Sequence, residues 1–513
     1  MSSEALSFGA RLRQLAAERS DEPALTFRPR DGSSGAVFSW RQLDDAARRA
    51  AQLFAENEVD MDSMVVVGLP NCPEHLISVF ATWKLGACAL PLNPRLPDRE
   101  RNELLGLAAP AVVVADWANV PTGRLLSRQW LGRAKGASAL PDVVPHPGKA
   151  IGSGGSTGRQ KIIVDPNPLI WSGETSGRGL LPRVGFRPDM RQLVCGALHH
   201  NSPFSVSVYG LMAGHHVVLT DRFDANHVVS AIEEFKIQFL YLAPTMMMRI
   251  ARLPDIELRD LSSLEALFHT AAPCPPWLKR RWIELLGPDR VYEAFGATEA
   301  VGQTVIRGDE WLEHPGSVGR AVDSEVRILS EAGRDLPAGE VGEIFMRLAD
   351  RSGPTYRYLG AEPSKTVDDW TSVGDLGSLD QNGYLYPADR RLDMIITGGV
   401  NVYPAEVEAV LSQHPDVVDA VVIGLPDEEW GRRVHALLAT ERGRPIPASE
   451  LDAHCRALLS SHKRPRSYEF VADFPREESG KIRRSAIATE RAEAGGAPGS
   501  AATGWSSTSR SAG

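Results

Sequence analysis

Apolar positions along this chain fall into two alternating patterns. Residues 5–19 and 40–57 place Ala, Leu and Phe on one face at helical spacing and predict amphipathic helices. Short continuous apolar runs follow at 64–70 (MVVVGLP), 87–92 (ACALPL) and 111–116 (AVVVAD) and predict strands. Between them, 74–86 (EHLISVFATWKLG) and 99–109 (RERNELLGLAA) read as helices. The order recurs with a strand at 217–220, a helix at 226–236 and a strand at 239–244. Such alternation predicts βαβ units and parallel sheets flanked by helices.

The pattern changes at 318–350, where short strand-like runs are joined by Gly turns and predict a β-rich subdomain. A boundary is expected near 380–392. Beyond it, Pro404 stands where a helix would begin, PAEVEAVLSQH continues as an amphipathic helix, and 417–426 reads as a buried strand. The expected fold is therefore α/β: a large multi-subdomain N-terminal domain over 1–389 and a small α+β C-terminal domain over 390–491. The tail, 492–513, is rich in Gly, Ala and Ser and is expected to be disordered.

Composition narrows the class. The 513 residues are 43% hydrophobic and 24% charged, as in a soluble globular protein of a few domains. Lys and Arg number 56 against 65 Asp and Glu, a net charge of −9, which argues against nucleic acid and anionic membranes as partners. No apolar stretch approaches the length of a membrane span, and the first residues lack the basic-then-apolar order of a signal peptide. The five cysteines form no CxxC pair, which speaks against a disulfide framework or a cysteine zinc site. A cytoplasmic, reduced protein is expected.

The candidate chemistry begins at GSGGSTGRQK, residues 152–161. Its four glycines let backbone N–H groups approach an anion closely, its hydroxyls donate hydrogen bonds, and Lys161 adds a point charge. This combination suits polyphosphate. A Walker loop fails here, because Gln160 rather than Gly precedes the Lys. Gly154 to Gly158 also matches G-x-S-x-G, which would make Ser156 a hydrolase nucleophile. A flexible surface loop is the third reading. The decapeptide alone leaves all three open.

Four further stretches follow in order: YEAFGATE (292–299), WTSVGD (370–375), DRRLD (389–393) leading into MIITGGVNVYPAE (394–406), and PREESGK (475–481). With these five motifs the chain resembles the adenylate-forming superfamily of acyl-CoA synthetases, peptide-synthetase adenylation domains and luciferases. The resemblance covers all but the tail. Within it the chain looks most like synthetases for bulky acids, such as bile-acid or terpenoid-acid CoA ligases, and an actinomycete diterpenoid pathway of the platensimycin kind would suit it.

The resemblance implies ATP-dependent activation of a bulky hydrophobic carboxylic acid to acyl-AMP, release of pyrophosphate, and thioester formation with coenzyme A. It implies that Ser153, Gly154, Gly155, Ser156, Thr157, Gly158 and Lys161 hold the phosphates. Ala271, Ala272 and Pro273, with Glu293, Ala294 and Phe295, would line an adenine pocket. Thr298 would contact the α-phosphate, and Glu299 would bind Mg²⁺, a hard cation that takes oxygen ligands. Asp375 and Arg390 would hold the ribose. Lys481 would approach the α-phosphate and the substrate carboxylate, His200 would close over the acyl pocket, and Gly398 and Gly399 would let pantetheine pass. Because both reactants are anionic, the cations and loop N–H groups would supply the electrostatic stabilisation. The small domain would be mobile, turning about a hinge near 389–393.

Two departures from the family stand out. Leu392 occupies the hinge position that usually carries Asp or Lys, which keeps open an enzyme that stops at acyl-AMP and passes it to a partner ligase or carrier protein. Gln160 replaces a Pro, which is expected only to loosen the loop. No acid occurs in ALHHNSPF (197–204), so an α-amino substrate is not expected. Phe204, Val208 and Gly296 are expected to wall the acyl pocket. The pairs His199/His200 and His215/His216 are not expected to bind a metal, since adjacent residues rarely chelate together.

Overall fold

The computed structural model describes residues 6–131, 143–154, 160–173, 179–350, 354–390, 393–397, 400–427, 430–440, 443–474, 482 and 484–494. The described residues fall into two compact units, one ending at Arg390 and the other beginning at Asp393.

Two sheets dominate the larger unit. In the nine-stranded sheet, Val291–Gly296, Ala266–His269, Phe239–Leu242, Arg191–Val194, His216–Thr220 and Pro23–Arg28 run parallel in that spatial order. Antiparallel strands close its edges, Gln303–Arg307 and Arg320–Ala321 on one side and Ala36–Ser39 on the other. In the seven-stranded sheet, Lys149–Gly154, Cys88–Pro91, Met64–Gly68, Val112–Ala115 and Arg124–Leu126 are parallel. Gln160–Asp165 and Arg357–Leu359 extend it antiparallel at one edge.

The helix Pro73–Lys84 is buried on every side. The reason lies in its neighbours: one apolar cluster contains its Leu76, Phe80 and Trp83 together with Val65 and Val114 from one sheet and Leu25, Val217 and Leu219 from the other. Its buried polar side chains are partnered, His75 by the Leu69 carbonyl at 3.0 Å and Lys84 by Asp44 at 2.6 Å, so the helix can sit in such a shared layer. Local chemistry starts the helices where the pattern breaks. Pro73 sits at the first turn, and Ser39 and Gln42 form a reciprocal capping box for Trp40–Ala55.

Of the β-rich stretch expected at 318–350, Arg320–Ala321 belongs to the nine-stranded sheet and the rest opens a five-stranded antiparallel sheet. Its members are Ser324–Leu329, Gly342–Leu348, Trp370–Leu379, Thr366–Val367 and Leu385–Arg390. The smaller unit has its own core. Its strands Val417–Asp427 and Gly431–Thr440 are antiparallel, Ser467–Val471 is added parallel, and the helices Pro404–Leu411 and Ala448–Leu458 pack with them.

Candidate active site

Open α/β sheets bind ligands beyond the carboxyl ends of their strands. Strand Val291–Gly296 ends in such a position, and the chain continues through Ala297 and Thr298 to Glu299. Ala300, the next residue, has φ of 52°, a left-handed conformation uncommon outside glycine, so the backbone turns away sharply after the carboxylate. The other sheet meets this point. Lys161, on Gln160–Asp165, brings its Nζ to 3.3 Å from Glu299 Oε1. Tyr358, on Arg357–Leu359, donates its hydroxyl to the same oxygen at 2.6 Å. The Lys161 ammonium also lies 3.8 Å from the centroid of the Tyr358 ring, a cation–π contact. Burial, followed by the bond to Glu299, pushes the Tyr358 hydroxyl well above its ordinary pKa, so it remains a donor.

The base of the glycine-rich loop adjoins this cluster. Ser153 lies opposite Lys161, and Gly154 opposite Gln160, across the antiparallel pair. Gly155, Ser156, Thr157 and Gly158 lie outside the described residues. Gln160 itself is not loose. It is buried, and its amide donates to Glu100 of the helix Asp98–Ala108 at 2.6 Å.

The neighbouring parallel strand, Ala266–His269, ends on the same side and leads into Ala271, Ala272 and Pro273. Ala271 has φ of 81°, a second strained non-glycine turn at a strand end. Ala294 is buried and Phe295 partly so. Glu293 is turned inward: its Oε2 accepts from Lys279 at 2.5 Å, and Lys279 is fully buried. His269, its register partner, places Nδ1 3.9 Å from Glu293 Oε1, and neither ring nitrogen has a hydrogen-bond partner among the described residues. Burial raises the Glu293 pKa against the opposing pull of Lys279. It lowers that of His269 far below the ordinary imidazole value, with Lys279 adding to the effect. A nucleotide here would meet the backbone of Glu293 rather than its carboxylate.

Asp375 and Arg390, 15 residues apart in sequence, are direct cross-strand partners in the five-stranded sheet. For Arg390 only the backbone is described. His200 precedes the helix Asn201–Met212, with its ring centroid 4.3 Å from that of His199. Burial, then the adjacent His200, pushes His199 well below its ordinary pKa. His215 and His216 are structural. His215 Nε2 meets the Arg187 carbonyl at 2.7 Å, and His216 Nε2 meets Thr26 Oγ1 at 2.8 Å. Among the described residues no group of three or more His, Cys, Asp or Glu is arranged to hold a metal. Of the residues expected to wall an acyl pocket, Phe204 and Val208 are buried in the apolar cluster between the sheets, Phe204 with its ring 6.0 Å from Trp83, and Gly296 is exposed at its strand end. Lys481, Leu392, Gly398 and Gly399 lie outside the described residues.

Comparison with known proteins gives the family. The AMP-binding enzyme family matches residues 12–350, well over half of the chain. The chain belongs to the AMP-binding enzymes. The C-terminal domain of AMP-binding enzymes matches residues 406–481. A feruloyl-CoA synthase from Amycolatopsis sp is 33% identical over 477 residues, 87% of this chain and 93% of that protein. The o-succinylbenzoate CoA synthetase of Bacillus subtilis, in complex with its acyl-adenylate intermediate, superposes with a TM-score of 0.80 at 26% identity, covering 94% of this chain and 98% of that one. The same synthetase with ATP and magnesium ion gives 0.79 at 26% identity, covering 93% and 98%. The chemistry of this AMP-binding enzyme is that of an AMP-forming acyl-CoA synthetase. ATP and Mg²⁺ serve the activation of a carboxylic acid to acyl-AMP, and coenzyme A takes the acyl group as a thioester.

The donor set at Glu299 fits magnesium. Oε1 is held by Lys161 and Tyr358, while Oε2 has no partner among the described residues. One carboxylate completed by substrate phosphates and water is a usual Mg²⁺ environment. Among the described residues no helix is long and apolar enough to cross a membrane.

Sequence reasoning missed Tyr358, Thr355 and Lys279. Thr355 Oγ1 donates to the Glu299 carbonyl at 2.7 Å. Tyr358 could have been suspected only from strand pairing, because it lies opposite Ile163, two residues from Lys161 on the same strand.

Proposed function

We propose that this enzyme activates a bulky hydrophobic carboxylic acid and transfers it to coenzyme A. The observation that carries the reading is the meeting of Lys161 and Glu299, 138 residues apart, at the junction of the two sheets. A cation for phosphates and a carboxylate for their metal stand together there, as an adenylating site needs.

In this reading Ser153, the loop Gly154–Gly158 and Lys161 bind the β- and γ-phosphates. Ala271–Pro273 and the segment Glu293–Phe295 receive adenine, through Phe295 and the backbone. Asp375 accepts from the ribose hydroxyls and Arg390 adds a donor. Thr298 donates to the α-phosphate, and Glu299 holds magnesium. When bound, the metal supplies positive charge that offsets the repulsion between the two anionic reactants. Lys481, from the C-terminal domain at 390–491, stabilises the charge developing on the α-phosphate as the carboxylate oxygen attacks. Gly398 and Gly399 then line the path of the thiol, and His200 covers the acyl group. The chemistry of the acid is read from the lack of an acidic residue in 197–204, which leaves no partner for an α-amine.

The test is a panel of acids scored for ATP-dependent pyrophosphate release, with and without coenzyme A. Aryl and polycyclic acids of ferulate size or larger should release pyrophosphate and, with coenzyme A, yield thioester. Amino acids should not. Preference for an amino acid, or acyl-AMP that coenzyme A never discharges, would overturn the proposal.

A further inference from the structure

We propose that Tyr358 is a positioning residue for the metal-binding carboxylate: it fixes one oxygen of Glu299 so that the other is presented to magnesium. The inference rests on the reading of Glu299 given above.

Three contacts converge on this tyrosine. Its hydroxyl donates to Glu299 Oε1 at 2.6 Å. Its ring carries the Lys161 ammonium at 3.8 Å. Its hydroxyl also lies 3.2 Å from Ser364 Oγ. The ring is steadied in turn by Tyr356, 4.8 Å away between centroids, whose own hydroxyl accepts from the Ser364 backbone N–H at 3.0 Å. Thr355, at the start of the same segment, holds the Glu299 carbonyl at 2.7 Å. Residues 355–364 therefore grip Glu299 by both backbone and side chain, while register on the Lys161 strand fixes their own position.

The effect is a division of labour between the two carboxylate oxygens. Oε1 receives the tyrosine hydroxyl and the lysine, and Oε2 receives nothing from the described residues. An unrestrained glutamate would lose rotamer freedom on taking up a cation, and here that cost is met in advance by the fold. Outer partners that orient a metal ligand typically contribute 10- to 100-fold to metal affinity.

The experiment is calorimetric titration of ATP into the full-length enzyme at stepped magnesium concentrations, with no acid and no coenzyme A, so that binding alone is read. For Tyr358→Phe, which keeps the ring under Lys161, we expect the magnesium concentration that half-restores tight ATP binding to rise about 10-fold. ATP binding without magnesium should stay within about 2-fold, since the phosphate contacts remain. Ser364→Ala, a milder change that also covers a misfolding Phe variant, should shift the magnesium requirement in the same direction by a smaller factor. Glu299→Gln separates the two ideas. If it retains normal magnesium dependence, the assignment of Glu299 falls. If it loses that dependence while Tyr358→Phe and Ser364→Ala match the wild type, the positioning role alone falls. A lower melting temperature with unchanged magnesium dependence would make Tyr358 merely structural and would equally overturn the proposal.

Discussion

Lys161 has two partners of opposite character, the carboxylate of Glu299 and the face of Tyr358, and it is the only described cation of the glycine-rich loop motif that reaches them. In the proposed site a point charge on a flexible stem suits this place, because it would reach a phosphate oxygen from the ring platform that holds it beside the carboxylate. Lys161→Met should therefore lower the rate of pyrophosphate release at saturating acid by about 10²–10³-fold, the usual cost of deleting one preorganised contact to developing charge. Lys161→Arg should fall between that variant and the wild type. The guanidinium keeps the charge, but its planar fork does not fit the 3.3 Å and 3.8 Å spacings set for an ammonium. Full activity in Lys161→Met would remove this residue from the phosphate site.

Between elements, two polar ties anchor the strands that carry the site. The first joins the helix Pro276–Leu286 to Val291–Gly296 through the buried pair Lys279 and Glu293. Lys279→Met leaves a buried carboxylate without its partner and should cost about 3–5 kcal/mol in urea unfolding. Adding Glu293→Leu should recover most of that loss, since replacing both members of a buried pair by apolar groups is often close to neutral. If the double variant is no better than the single one, the pair is not acting as a pair. The second tie is Gln160 to Glu100, a hydrogen bond from a buried amide to a carboxyl oxygen at 2.6 Å. Gln160→Ala should destabilise by about 1.5–3 kcal/mol, measured in the same way. These ties mark where sequence reading ran out. The strand and helix runs from 64 to 116 were legible because burial on both faces writes itself as unbroken Val and Ala. Lys161 was singled out by its glycine-rich motif, and Glu299 and Asp375 by motifs shared with the family; of these three, the fold brings Lys161 and Glu299 together. Tyr358 and Lys279 were not, because their partners lie 59 and 14 residues away and only strand register or helix packing brings them together. Gln160 was read as a loss of stiffness. In the fold, its side chain has a buried partner that no local pattern announces.

On the scale of the whole molecule, the two units differ in how they hold their titratable groups, and this should separate their acid stability. The larger unit buries His75 and His215, whose pKa values burial pushes down to about 4. Burial also lowers those of His199 and His269 well below the ordinary imidazole value. An imidazole kept neutral by the fold takes up a proton more readily once unfolded, so the unfolded state binds more protons below about 6.5. The stability tied to these residues is complete above that value and declines as pH falls towards 4. For His75 and His215 the loss at pH 4 is on the order of 3 kcal/mol each. In the smaller unit the clear shift is the reverse kind. Glu469 is held down to about 2 by the His435 ring, 3.5 Å away, and by Arg491, which donates to both its oxygens. A depressed carboxylate contributes stability that is full above its unfolded value of about 4.3 and is lost only as pH falls through 2. Scanning calorimetry of the full chain from pH 7 to pH 3 should therefore show the larger unit's transition moving to lower temperature between pH 6.5 and 4. The smaller unit's transition should hold until more acidic conditions. His215→Gln should flatten the first slope, because the substituted side chain has no proton to gain. A single transition that is indifferent to pH between 6.5 and 4.5 would show that the buried histidines are not what limits the larger unit in acid.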